Sequence, residues 1–473
     1  MAHDCSFLED LDLGDAQLSF EEGNREAHAA DWMVRRRGGA VTPDAVVYPE
    51  TTEDVSEVLA AATEHGVPVT PYAAGTGLEG NAVPVHKGIS LDLTRMDQVV
   101  DYRREDFQID VGPGILGSEV DQYVAGDGLF FPPLPSSADI STIGGMIATD
   151  ASGMKTVKYG EIRDWVLRVE AVLADGSVIE AGSRTSKTSS GYNLKDLLVG
   201  SEGTLAVVTE ATLELAGRPE QIRGGRAIFS TLDDATRAIS DAVRTGVDAT
   251  TIELVDAMSA TIANEYLETD LPDSPMVFLE FHANHGIDVE IDLCRTIFES
   301  HGVEAFEMSV DEYDMADYWR ARWELPYAIE SFDPDRVSIH PGDVTVPIRK
   351  YPDIVKFAKE LEAEHDLPIP CFGHGGDGNL HYTVLVNHND PEEVELGRDL
   401  YDRIVRKAIE LDGTATGEQG IGAKKQHYLE LEHGETTVRT MRAIKQALDP
   451  TDTLNPGKIF PETADGGRVQ FDE

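Results

Sequence analysis

Hydrophobic positions along this chain change their spacing twice, and each change predicts a different architecture. From Pro43 the texture is α/β: Val46-Val47-Tyr48-Pro49 reads as a short strand and Val67-Pro68-Val69-Thr70 as another. Between them Val55, Val58, Leu59 and Ala62 recur at i, i+3, i+4 and i+7, the spacing of one helix face, over Thr51 to His65. Between about 85 and 215 the apolar runs shorten to strand length: Ile89 to Leu93, Phe107 to Val111, Val166 to Leu173 and Ala206 to Val208. Gly, Pro and Asp turns divide them and leave room only for brief helices. Past Gly217-Arg218-Pro219, longer helical segments such as Thr231 to Arg244 alternate with strands such as Met276 to His282, which places a domain boundary there. Ile369 to Phe372, the turn Gly375 to Asn379 and Leu380 to Val386 predict a hairpin. Glu435 to Leu448 predicts a helix that begins after Gly434 and is closed by Asp449-Pro450, followed by the polar tail Thr463 to Glu473. Residues 1–42 read as a lead-in.

With 473 residues the chain exceeds the size at which a single core keeps growing, so two or three compact units are expected, with room to bury a large cofactor. The 87 Asp plus Glu against 39 Lys plus Arg give a formal charge of -48, which repels nucleic acid and anionic lipid and removes both from the expected partners. Such self-repulsion opens a compact state unless counterions screen it, over lengths that fall from about 10 Å at 0.1 M salt to about 3 Å at 1 M. Only 13 of the 39 basic residues are Lys, and the whole pattern predicts a protein of a high-salt cytoplasm. Cys5, Cys294 and Cys371 are too scattered for a disulfide framework or an iron-sulfur site and imply a reducing compartment. The acidic start has no basic-then-apolar signal pattern, and no apolar run approaches the roughly 20 residues of a membrane helix. The expectation is a cytoplasmic protein without a transmembrane segment, peripheral at a membrane only through a partner.

Gly75-Thr76-Gly77-Leu78-Glu79-Gly80 matches G-x-G-x-x-G after a strand. A dinucleotide fingerprint needs a helix opening there to receive the pyrophosphate, yet Asn81-Ala82-Val83-Pro84-Val85 continues as another strand. What remains is either a nest of backbone N–H groups suited to a pyrophosphate or an ordinary glycine turn. A second block, Pro135 to Gly153, sets small residues and hydroxyls around an apolar centre and can line a flat ring. Lys158-Tyr159-Gly160 and Gly200 to Leu205 follow, more small-residue segments than turns require.

In this order, Gly75 to Gly80, Ser141-Thr142-Ile143-Gly144-Gly145, Val199 to Thr204, Gly373 to His381, Thr416 to Gly422 and Asn455-Pro456-Gly457-Lys458 resemble the vanillyl-alcohol oxidase (PCMH) type of FAD protein. The resemblance is to its D-lactate dehydrogenase branch, related to D-2-hydroxyglutarate dehydrogenase and the D subunit of glycolate oxidase, and runs from about Pro43 to Phe460. It implies an α+β fold: a two-subdomain FAD-binding domain over 43–218, an α+β cap domain with an antiparallel sheet over 219–415, and a C-terminal helical segment, 416–473, returning to the FAD domain. It implies FAD contacts from Pro71, Ala74, Gly75, Thr76, Gly77, Leu78, Gly80 and Asn81 at the pyrophosphate. Pro135, Ser141, Thr142, Gly144, Gly145, Ser152 and Gly153 would follow along the flavin and its chain, and Tyr159, Gly160, Glu202, Gly203, Val208 and Asn455 would complete the pocket. The pyrophosphate loop contains no His or Cys, so the FAD is expected to be non-covalent.

His374 and His381 flank the predicted hairpin turn, which can bring two imidazoles to one ion with Glu418 as a third donor and positions left open for substrate. Taken alone they also fit unrelated surface residues. The resemblance matches all three, residue by residue, to metal ligands, zinc being the default and manganese or iron compatible. It matches Arg322 to the arginine that grips the substrate carboxylate, where the residues alone also allow a helix-surface arginine paired with a local Glu. One position departs from the pattern: relatives usually carry His after the metal-binding Glu, and here Gln419 cannot take a proton. Either the metal acidifies the hydroxyl enough for water to accept it, or another group such as His340 serves as base.

The function so implied is FAD-dependent oxidation of a D-2-hydroxy acid, D-lactate to pyruvate first, with the metal on the 2-hydroxyl, Arg322 on the acid and the C2 hydride passing to flavin N5. Pro341 and Thr383 stand where the hydroxyglutarate branch has a lysine and an amide, which favours a short monocarboxylate. Glycolate or D-2-hydroxyglutarate oxidation, a metal-independent oxidase and a non-catalytic flavin subunit stay open. So do the electron acceptor (quinone, cytochrome or electron-transfer flavoprotein) and a homodimer. The charge makes one direct prediction: the unfolding temperature rises between 0.1 and 2 M KCl, and a flat or falling melting curve series would remove the high-salt adaptation.

Overall fold

The structure, a computed structural model, describes residues 2–14, 16–309 and 312–461, so the polar tail Thr463 to Glu473 lies outside the described residues. The chain divides into two units. One runs to Ser152, resumes over Glu161–Arg218 and again from Glu418; the other comprises Gly153–Gly160 and Pro219–Gly417.

In the first unit, Thr51 and Asp54 form a reciprocal capping box that starts the helix Thr52–His65, and Gly66 ends it in the left-handed conformation. Val55, Val58, Leu59 and Ala62 are the buried face of that helix, packed on a four-stranded sheet ordered Leu18–Ser19, Ala45–Val47, Ile89–Asp92, Val69–Tyr72. The last three strands are parallel. The stretch read as a lead-in is built into this unit: Leu8 is buried in the same core, Leu18–Ser19 pairs with Ala45–Val47, and Asp31 caps the helix Trp32–Arg37. Its apolar residues are too sparse to show a period, which is why their packing is invisible in the pattern.

A second sheet, five antiparallel strands ordered Val99–Arg103, Gln108–Val111, Val207–Glu214, Val166–Val172, Val178–Gly182, packs against brief helices such as Gly117–Val124 and Ile143–Thr149. Val207, Thr209, Ala211 and Leu213 face inward, so this strand is longer than its apolar start at Ala206 to Val208 announces. The C-terminal helix Glu435–Leu448 has the ends expected of it. In its last turn Lys445, buried, donates to the carbonyls of Thr204 and Leu454, and beyond the helix Leu454 bridges Val69 in parallel, so the returning segment becomes part of the first sheet.

The second unit is one antiparallel sheet of seven strands: Val303–Ser309, Gln221–Phe229, Met276–Ala283, Thr251–Val255, Cys371–His374, Asn379–Asn387, Arg336–Thr345. Helices including Leu232–Thr245, Glu312–Ser331, Tyr351–His365 and Pro391–Glu410 belong to the same unit. The first strand of the expected hairpin lies two residues later than its apolar run, at Cys371–His374. Pro368 and Pro370 have no N–H to give the ladder and enter it only as acceptors, for Leu385 and Thr383. Among the described residues no helix is long and apolar enough to cross a membrane.

Asp256 welds this sheet to its helices. One carboxylate oxygen caps the helix Ala257–Leu267 at Ser259 N, 2.7 Å, and the other takes Cys371 N at 3.1 Å and Lys359 Nζ at 2.9 Å. Asp256→Ala removes the cap and leaves the buried Cys371 amide without this acceptor, a loss of about 2 to 4 kcal/mol. Chemical denaturation checks this; a shift in midpoint worth less than about 1 kcal/mol would show that the weld is dispensable.

Candidate active site

Strand register places the first two site residues. Phe372 pairs with His381 across the hairpin, and on the other side of the same strand His374 pairs with Glu253. Gly373 has φ +145°, and a Cβ there would stand 2.7 Å from Asn379 O and 2.8 Å from His381 N, so the tight approach of the two strands needs glycine. The His374 and His381 rings come within 5.1 Å, centroid to centroid, nearly perpendicular.

Behind them sits a residue that the motif analysis passed over. Glu253 is 0 % exposed and accepts from His374 Nδ1 and from Arg322 Nε, both at 2.6 Å. Burial pulls its carboxyl upward, but the His374 imidazole and the Arg322 guanidinium outweigh burial and hold it below the usual carboxylate range. Arg322, on the helix Glu312–Ser331, is itself 4 % exposed and lies over the Phe372 ring at 4.8 Å. It is therefore neither on the helix surface nor paired with a local Glu. The available signal was a charge inside the apolar run Ile252-Glu253-Leu254-Val255.

Asp343, paired in register with His381, performs the same service for the third donor. Its Oδ1 takes Asn379 Nδ2 at 2.8 Å, and its Oδ2 takes Gly417 N at 2.9 Å and Thr416 Oγ1 at 3.1 Å. A Cβ on Gly417 would lie 2.3 Å from Asn379 Nδ2, so the turn is as tight as the chain allows. Glu418 is bonded directly to Gly417, and one donor atom each of His374, His381 and Glu418 lies within 4.8 Å of the others. Two imidazole nitrogens and a carboxylate oxygen fit a divalent cation of borderline softness, with coordination positions left for a substrate.

Gln419 follows with its Nε2 3.4 Å from Glu418 Oε2. The His340 ring meets Tyr401 edge-on at 5.6 Å, beside Tyr382. Thr383 pairs with Pro341 and is buried.

In the first unit, residues 73–88 contain no helix, as Asn81 to Val85 announced. Gly75 and Gly80 take positive φ, and Gly80 N is held by the buried Asp31 at 2.7 Å. Ala74, Thr76, Gly77, Leu78 and Asn81 stay half-buried along this loop. Thr76 Oγ1 and Ser141 Oγ are 3.1 Å apart, and Ser141 donates on to Ser137. Thr142 caps the helix Ile143–Thr149, with Gly144 packed on Pro113 and Gly145 exposed. Pro135 and Val208 are half-buried, and Ser152 is buried. Backbone-lined, helix-free and bordered by hydroxyls, this loop fits a pyrophosphate-bearing cofactor.

Three of the expected cofactor residues turn inward to one another. The buried Glu202 takes Ile421 N at 2.7 Å, Gly422 N at 2.8 Å and Asn81 Nδ2 at 2.6 Å, while burial raises its carboxyl against those donors. Asn455 Nδ2 donates to Asn81 O at 3.0 Å and Glu202 O at 2.8 Å. Gly203 packs on Pro71. Gly153, Tyr159 and Gly160 belong to the second unit, where Tyr159 Oη lies 3.0 Å from His282 Nδ1 and burial pushes the phenol up to about 12.

With this geometry established, the chain was compared with known proteins. Residues 43–182 match the family described as FAD binding domain, and residues 218–459 match FAD linked oxidases, C-terminal domain. A Danio rerio protein named "Probable D-lactate dehydrogenase, mitochondrial" is 36% identical over 454 residues, covering 95% of this chain and 90% of its own length. Glycolate oxidase subunit GlcD of Bacillus subtilis is 34% identical, covering 89% and 90%. D-lactate dehydrogenase of Anaerostipes hadrus is 32% identical with the same two coverages. Among solved structures, p-cresol methylhydroxylase superposes with a TM-score of 0.77 at 17% identity, covering 95% of each chain, a likeness of fold alone.

Asp343→Ala should cost about 1 to 3 kcal/mol, because the Gly417 amide loses its acceptor. Hydrogen exchange checks the local effect: the Gly417 and Glu418 amides should exchange faster than in the parent protein. Unchanged protection would mean that Asp343 does not hold this turn.

Proposed function

This chain belongs to the FAD-linked oxidases, in the group that contains D-lactate dehydrogenases and glycolate oxidase subunits, and from that premise we propose that it oxidises a D-2-hydroxy acid, D-lactate first, to the 2-oxo acid. The observation that supports this reading is the grouping of a three-donor set, His374, His381 and Glu418, with an arginine joined to it through Glu253. A 2-hydroxy acid presents two handles on adjacent carbons, a hydroxyl and a carboxylate. The site offers a chemistry for each.

FAD, when bound, would supply the two-electron acceptor, and a divalent cation, zinc by default for this donor set, would supply Lewis acidity at the hydroxyl. The loop from Pro71 to Asn81 carries the backbone donors and glycines for the pyrophosphate. Ser141, Thr142, Gly144 and Gly145 supply hydroxyls and close backbone approach beside it. Glu202 and Asn455 act behind this surface: their hydrogen bonds tie the loop to the segment at 421–422. His374, His381 and Glu418 would hold the cation.

Arg322 engages Glu253 through Nε, leaving its two terminal amino groups, the fork that grips a carboxylate. Gln419 has no basic site for the hydroxyl proton, so a water or another group such as His340 would take it. Thr383 and Pro341 offer no charge to a second carboxylate, which supports a short acid. Glycolate is the second reading, favoured by the relatives named glycolate oxidase subunit. A quinone, a cytochrome or an electron-transfer flavoprotein takes the electrons onward.

Anaerobic addition of D-lactate should bleach the visible flavin absorbance while L-lactate leaves it unchanged. Bleaching by glycolate alone would select the second reading, and bleaching by no hydroxy acid would discard both. His374→Ala should keep the flavin spectrum, lose bound metal and lose at least about 100-fold in turnover, and retained turnover would remove the metal from the mechanism.

A further inference from the structure

We propose that Glu253 is the positioning residue of this site: one buried carboxylate selects the ligating nitrogen of His374 and at the same time aims Arg322. The inference rests on the functional reading above and extends it to a residue that touches neither substrate nor cation.

A neutral imidazole carries one N–H and one lone pair, and only the lone pair binds a cation. Glu253 Oε1 lies 2.6 Å from His374 Nδ1, and a carboxylate can only accept, so the proton belongs on Nδ1 and the lone pair on Nε2. The other oxygen, Oε2, takes Arg322 Nε at the same distance and fixes the plane of the guanidinium. Strand register fixes the carboxylate between its neighbours. Glu253 faces His374 across one ladder and Phe278 across the other, so it cannot slide along the sheet.

The fold itself has no need of a charge here. Every residue of the strand Thr251–Val255 is buried, and a buried ion pair is weak evidence for stability, since apolar side chains of similar volume do as well. The carboxylate makes chemical sense as the part that orders one ring and one guanidinium.

Glu253→Gln tests this at constant size. A carboxamide can accept from one partner only, and it turns an NH2 toward the other. If that other is His374, the ring must place its proton on Nε2 and lose the ligating lone pair; if it is Arg322, the fork is displaced. Full-length, FAD-loaded, metal-stripped protein would be titrated with zinc chloride by calorimetry and with cobalt chloride by visible absorption. KM and kcat for D-lactate would follow after metal is restored.

For Glu253→Gln we expect metal binding about 10- to 100-fold weaker, an altered cobalt spectrum and a raised KM, with the flavin spectrum unchanged. Arg322→Gln should raise KM and leave zinc affinity within about twofold, which separates the two hands of Glu253. Should Glu253→Gln fail to fold, Glu253→Asp carries the test, being one methylene too short to reach both partners. Unchanged metal affinity and cobalt spectrum in the folded Glu253 variant overturn the inference alone. Zinc binding that His374→Ala does not diminish overturns both the inference and the functional reading.

Discussion

A buried carboxylate accepting backbone N–H groups from a remote stretch of chain is the interaction on which this structure depends. Loops cannot satisfy their amides through a ladder or a helix, and an amide left unpaired in the interior costs about 1 to 3 kcal/mol. Here each chemically interesting loop is given an acceptor from elsewhere. Asp31 serves Gly80, Glu202 serves Ile421 and Gly422, Asp343 serves Gly417, and Asp256 serves Cys371. The glycine-rich segments can then take left-handed conformations without becoming loose.

That device explains how so acidic a chain keeps a specific interior. Among the described residues a small set of Asp and Glu is enclosed, each with donors, and the exposed ones raise self-repulsion. Glu79 meets Lys425 at 3.1 Å with both side chains buried, and Asp110 is held down to about 2, against its own burial, by Arg103, Thr212 and Arg184. Charge inside this protein is structural punctuation, whereas charge outside it acts through solvent and salt.

The same distinction decides what could be read from the residues. Helices with a regular apolar face were legible: Thr52–His65 and Leu232–Thr245 each start one residue after the threonine that caps them. The glycine loop was legible as a non-helical one, because Pro84 and the β-branched residues around it forbid the helix that a dinucleotide fingerprint requires. His374, His381 and Glu418 were legible as a set through their motifs. Glu253 and Asp343 were not, because the meaning of each lies in which strand it faces. Register is a property of pairing, and the partners are 121 and 74 positions away for His374 and Gly417. Arg322 shows the reverse: its identity was legible, but its burial and its partner 69 positions distant were not.

The Glu202 hydrogen bonds also set an order of events during synthesis. Ile421 and Gly422 emerge from the ribosome some 219 and 220 residues after the carboxylate that will receive them. At elongation rates of about 5 to 20 residues per second, the glycine loop waits on the order of ten seconds or more for its last supports. The residues from Pro219 to Gly417 are by then complete and free to fold as a body of their own. In this protein the interrupted unit, although begun first, is finished last, and the nascent chain passes through a period in which one half is native and the other still lacks its closing strap.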